Sequence, residues 1–97
     1  MKDNYGTYAL HYQRMLNERP SIQFRNFDFD RYLHARPWLA GIDYKAPILD
    51  VGCGFGQQLF IFKKLGFTNL FGIEITNQSL QIAAEELGAE VKLELVD

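Results

Sequence analysis

Three rhythms of apolar and polar residues run along this chain, and each predicts a different kind of element. From Tyr5 to Leu16 the apolar positions are Tyr5, Tyr8, Ala9, Tyr12, Met15 and Leu16, the spacing of one helical face. Glu18-Arg19-Pro20 ends that helix, because proline cannot continue a helix and restricts the residue before it. Between Ser21 and Asp30 the aromatic residues Phe24, Phe27 and Phe29 are separated by charged and polar ones. This reads as a loop leading into a short helix over Asp30 to Ala35, with Asp28 and Asp30 both suited to N-caps. Pro37-Trp38-Leu39-Ala40 predicts a further helical turn with proline at its first position, ended by Gly41. Ile42 to Pro47 then leads into a strand.

The second half changes rhythm. Ile48, Leu49 and Val51 suit a strand covered on both faces, where apolar residues need not alternate with polar ones. Gly52, Gly54 and Gly56 follow, and Gln57 to Leu65 reads as a helix that Gly66 stops. Asn69 to Ile75 is a second strand, and Thr76-Asn77-Gln78-Ser79 suits the start of a second helix. Leu80, Ala83, Ala84 and Leu87 form its apolar stripe, Gly88 fits its end, and Val91 to Asp97 reads as a third strand. The result is β1-α-β2-α-β3 with right-handed crossovers, an α/β arrangement whose first strand–glycine–helix corner cradles a ligand.

The residues of that corner narrow the ligand. A dinucleotide fingerprint needs G-x-G-x-x-G, and its third glycine would fall on Gln57, so the pattern fails. Asp50 stands two residues before Gly52, where a carboxylate would repel a pyrophosphate and attract a cation in a partly dry site. Glu74 ends the second strand, where an acid of a βαβ unit accepts hydrogen bonds from ribose hydroxyls.

The run Asp50-x-Gly52-x-Gly54-x-Gly56 resembles the first motif of the class I S-adenosylmethionine (SAM)-dependent methyltransferases. The resemblance covers about Ala46 to Asp97. It implies a three-layer Rossmann-like fold with strand order 3-2-1, SAM as cofactor and methyl transfer to an acceptor that the sequence does not identify. It assigns Asp50, Gly52, Cys53, Gly54, Gly56 and Gln57 to the amino-acid end of the cofactor. Glu74 is assigned to the ribose, Asp97 to the adenine amino group, and Ile75 to the cofactor site beside Glu74. Cys53 takes the place of a small packing residue of the family, not of a nucleophile. No catalytic residue is assigned.

The family's domain continues beyond a third strand. The chain is therefore expected to be an N-terminal part of a larger enzyme: residues 1–45 a helical, aromatic cap and 46–97 the first half of a truncated SAM-binding domain. The family also implies that the N-terminal helix, with its tyrosine stripe, lies over the SAM site as a lid. An edge of the first strand left bare by truncation invites self-association, as a dimer or larger.

Composition excludes more than it selects. The 97 residues suffice for one small domain, and a net charge of -2 gives no basic surface for nucleic acid. A small-molecule acceptor is therefore preferred to nucleic acid. No apolar run approaches the roughly 20 residues of a membrane span, and the start lacks the apolar core of a signal peptide. One cysteine rules out an internal disulfide framework and fits a reducing cytoplasm. His11 and His34 stand apart from any ligand cluster, so no metal site is expected. Two other functions compete with the enzyme: a non-catalytic SAM-binding fragment, and a NAD-dependent oxidoreductase, disfavoured by Asp50 and Gln57.

Overall fold

The computed structural model of the protein describes residues 17–96. The helix expected over Tyr5 to Leu16, the lid role given to it and Asp97 lie outside the described residues. The chain opens with α1 (Pro20–Gln23), a 3-10 turn (Phe24–Asn26), α2 (Phe29–His34) and a second 3-10 turn (Pro37–Gly41). The α/β unit follows as β1 (Ile48–Val51), α3 (Gln57–Leu65), β2 (Leu70–Glu74), α4 (Asn77–Leu87) and β3 (Lys92–Leu95).

The three strands are parallel, with β2 central, so the expected 3-2-1 order is found. Asp50 pairs with Gly72 and Val51 with Ile73, while Glu74 pairs with Leu95. This register brings the C-terminal ends of β1 and β2 together. It is the end where an open α/β sheet binds ligands.

The core lies between the sheet and the two long helices. Leu59, Phe60 and Ile61 of α3 and Ile82, Ala83 and Leu87 of α4 are buried. Burying a leucine such as Leu59 or Leu87 contributes about 1.5–3 kcal/mol. The stripe expected on α4 shifts slightly: Ala84 is exposed and Ile82 takes the buried place. Gly72 permits a close approach of the layers. A Cβ there would fall 2.8 Å from Leu59 Cδ1 and Leu93 Cδ2, and 3.0 Å from Cys53 Sγ. Lys63 of α3 donates from Nζ to the Leu87 carbonyl at 2.6 Å, satisfying an end group of α4 that its own helix leaves open.

One expectation about β1 is corrected. The strand is not covered on both faces: Leu49 and Val51 are 58% and 71% exposed. The helices pack on the face that carries Ile48, Asp50 and Gly72. The opposite face, with Leu49 and Val51, has no helix over it among the described residues.

The segment before β1 is more structured than a loop. Pro20 starts α1 and is buried, and the Asp28 carboxylate caps α2 by accepting from Arg31 N–H at 2.9 Å. The cap is thus Asp28, and Asp30 sits inside the first turn. Phe24, Phe27 and Phe29 form a ring cluster with centroids 4.4–5.9 Å apart, and Phe24 lies 4.9 Å from Phe60 of α3. These aromatics are packing residues, at separations where ring pairs contribute beyond burial. Arg19 adds an ion pair to Glu85 at 3.0 Å, tying the segment to α4.

Candidate functional site

The site is built where β1 turns into α3. Gly52, Gly54 and Gly56 all have positive φ, at 73°, 56° and 88°, a backbone region that side-chain-bearing residues rarely adopt. The turn is tied to the neighbouring strand because the Ile73 carbonyl accepts from both Gly52 N–H, at 2.9 Å, and Cys53 N–H, at 3.0 Å. Gly56 N–H donates to the Cys53 carbonyl at 2.9 Å and closes the turn.

The glycines divide by what surrounds them. A Cβ on Gly56 would meet Leu87 Cδ1 at 2.8 Å, so this glycine lets α3 and α4 approach. A Cβ on Gly52 would meet nothing within 4 Å. Gly52 therefore faces open space, with its main chain accessible to a ligand.

Asp50 lies just before that open space. It is half-buried, and it makes no hydrogen bond or ion pair with any described residue. Burial raises its pKa above the ordinary value, because a charge removed from water has no counter-charge beside it among the described residues. A cation placed beside it would relieve that cost.

Glu74 is buried, at 8% exposure, and its two oxygens face two different amides. Oε1 accepts from Gly54 N–H at 3.0 Å and Oε2 from Thr76 N–H at 2.7 Å. Burial alone would raise its pKa. Hydrogen bonds from the Thr76 and Gly54 amides, the Thr76 hydroxyl and the Ile75 amide outweigh burial and hold it below the ordinary value, so the group is ionised at neutral pH.

The other expected residues fall in distinct places. Cys53 is 4% exposed, with Sγ directed into the core beside Gly72, so only its backbone faces the turn. Its thiol is pushed up to about 11 by burial, with the Asp50 and Glu74 charges adding to the effect. Gln57 opens α3 at the turn. Ile75, 73% exposed, follows Glu74 beyond the strand end. Val96 N–H donates to the Glu74 carbonyl at 2.9 Å, which carries the third strand's end to the same edge.

Sequence reasoning missed three participants. Thr76 contributes its amide, a role no side-chain pattern announces. Gly72 was readable as a strand glycine that marks close approach. Tyr32 donates its hydroxyl to Gln58 Oε1 at 2.9 Å, linking α2 to the first turn of α3, and Arg36 stacks 3.9 Å over its ring. Burial raises the Tyr32 pKa, against the lowering effect of Arg36, so it stays a neutral donor at neutral pH.

Residues 49–97, half of the chain, match the family described as the methyltransferase domain. The chain belongs to this methyltransferase family, a conclusion that its glycine turn and parallel sheet share. A solved structure of a SAM-dependent methyltransferase from Anabaena variabilis ATCC 29413 is 28% identical, with a TM-score of 0.51 over 68% of this chain and 26% of that one. The plantazolicin methyltransferase BpumL, solved with a monoazolic desmethylPZN analog and SAH, is 25% identical. Its TM-score is 0.54, over 97% of this chain and 35% of that one. BpumL with a pentazolic analog and SAH matches at 26% identity and a TM-score of 0.51, over 88% and 34%. The chain therefore spans about a quarter to a third of the length of these solved relatives. No curated protein matches it.

Proposed function

We infer that the corner formed by β1, the glycine turn and β2 binds S-adenosylmethionine, and that the protein to which this chain corresponds transfers its methyl group. The observation that carries the reading is the pairing of Asp50, half-buried and without a counter-charge among the described residues, with an open main chain at Gly52. A cationic ligand that needs close backbone contact fits this place, and a pyrophosphate does not. SAM carries an ammonium, a sulfonium and a ribose diol. The first suits Asp50, and the last suits Glu74.

The assigned roles follow from position. Asp50 holds the ammonium, while the backbone of Gly52, Cys53 and Gly54 lines the amino-acid end, with Gly56 and Gln57 setting the start of α3. Glu74 accepts from the ribose hydroxyls, Ile75 covers the adenine side with apolar surface, and Asp97 contacts the adenine amino group. Residues 46–97 form the first half of the cofactor domain and residues 1–45 its cap. The bound cofactor supplies an electrophilic methyl group, which an acceptor nucleophile takes as the carbon–sulfur bond breaks and its electron pair stays on sulfur. The protein's part is to hold both reactants in line and keep water out.

A small molecule is the preferred acceptor, since the chain's net charge of -2 does not favour nucleic acid. No helix among the described residues is long and apolar enough to cross a membrane, and a cytoplasmic setting suits the single buried thiol. Binding without catalysis is the competing reading for this chain taken by itself.

Calorimetric titration of S-adenosylhomocysteine into the 97-residue chain tests the proposal, with NAD as the comparison ligand. Binding of the first, weakened at least tenfold by Asp50→Ala and by Glu74→Ala, supports it. Binding of NAD in preference rejects it in favour of an oxidoreductase. Methyl transfer by a longer form of the protein, absent from this chain, separates enzyme from binding module.

A further inference from the structure

We propose that Glu74 is a positioning residue for the glycine turn as well as a ribose contact, so that one carboxylate couples recognition of the two ends of the ligand. The proposal rests on the cofactor reading above for the ribose, and on the ligand-free geometry for the turn. An ionised carboxylate has about four lone-pair sites on two oxygens. In Glu74 both oxygens are engaged before any ligand arrives, Oε1 by the Gly54 amide at 3.0 Å and Oε2 by the Thr76 amide at 2.7 Å, with the Thr76 hydroxyl and the Ile75 amide also bonded to the carboxylate.

The contact with Gly54 sets the turn. The Gly54 N–H lies within the turn, where the Gly52, Cys53 and Gly56 amides all find backbone acceptors and Gly54 relies on the carboxylate. The Gly54 amide therefore has its place because Glu74 is ionised and buried beside it. Glutamine has the same shape but only one acceptor oxygen, and its NH2 group would face one of the two amides. Aspartate is a methylene shorter and cannot bridge both amides from the same backbone position. The identity of the residue is thus fixed by the turn before any ligand arrives.

Amide exchange in the ligand-free 97-residue chain, followed by NMR, is the first arm of the test. Gly54 and Thr76 are expected to be protected in the wild type and to exchange at least tenfold faster in Glu74→Gln. The Ile48 amide, bonded to the Asn69 carbonyl across the sheet, serves as the unchanged reference. Should Glu74→Gln unfold, Glu74→Asp and the wild-type protection itself provide the same readout. The second arm compares binding of S-adenosylhomocysteine with that of its 2′,3′-dideoxy analogue. A residue that only grips the ribose leaves affinity for the analogue unchanged on substitution, whereas a positioning residue weakens both ligands by roughly tenfold or more. Rapid exchange of Gly54 and Thr76 in the wild type, or an analogue affinity indifferent to Glu74→Gln, overturns the proposal. Absence of any binding to the wild type with both amides protected removes the cofactor reading and the ribose half, and leaves the turn-setting role supported.

Discussion

Replacing Gly56 and Gly52 by alanine, one at a time, separates the packing part of the turn from its ligand-facing part. Alanine at either position must adopt a positive φ, which costs about 1–2 kcal/mol. At Gly52 that is the whole stability cost, because the new methyl group meets no atom within 4 Å. At Gly56 the methyl lands 2.8 Å from Leu87 Cδ1 and 3.3 Å from Ala83 Cβ, and both neighbours are fully buried and have nowhere to retreat. Overpacking of this kind adds about 1–3 kcal/mol, for a total of about 2–5 kcal/mol. In a chain of this size each kcal/mol lowers the melting temperature by about 4–8 °C. Urea unfolding followed by circular dichroism, with melting curves beside it, is the assay. Gly56→Ala is expected to lose about 1–3 kcal/mol more than Gly52→Ala. For affinity to S-adenosylhomocysteine the order reverses among folded molecules, because the Gly52 methyl occupies the space the ligand needs. Equal destabilisation by the two substitutions would refute the packing assignment of Gly56, and undiminished binding by Gly52→Ala would refute the open approach at Gly52.

Three further outcomes are expected. Asp50→Asn should raise stability at neutral pH while weakening ligand binding. A carboxyl whose folded pKa is raised opposes folding once pH exceeds its unfolded value, so the gain should vanish in acid, and a loss of stability at neutral pH would contradict the account. Cys53 should react with a thiol reagent in the native chain only as pH approaches about 11, far more slowly at neutral pH than in urea, and rapid native labelling would contradict its burial. The chain is also expected to self-associate through the edge of β1, beside the exposed Leu49 and Val51, and sedimentation velocity giving one monomeric boundary at every concentration would exclude this.

Much of the fold was legible because its elements are marked by local chemistry. The glycines at Gly66 and Gly88 bracket the ends of α3 and α4, and the apolar runs at Ile48 and Leu70 announce β1 and β2 within a residue. The parallel direction followed from two helix-length crossovers, and the 3-2-1 order from the family resemblance. What the sequence did not show depends on tertiary contacts. The exposure of Leu49 and Val51 reflects which layers this stretch of chain brings, and no property of β1 itself. The structured segment of Phe24, Phe27 and Phe29 became visible only once Phe60 supplied a surface for it. At the site, the acids and glycines were read from spacing, but the bond from Gly54 to Glu74 was not, because a backbone donor leaves no trace in residue type. Asp97 was read as a site residue and lies outside the described residues, so its role remains part of the proposal.

The central claim is that the cofactor sits at the C-terminal ends of β1 and β2. Mapping amide shifts of the 97-residue chain as S-adenosylhomocysteine is added tests it most directly. The account predicts the largest changes at Gly52, Cys53, Gly54, Gln57, Ile75 and Thr76. Changes centred instead on the groove bordered by Leu33, Leu39, Leu65 and Phe67, at the far end of α3, would contradict it.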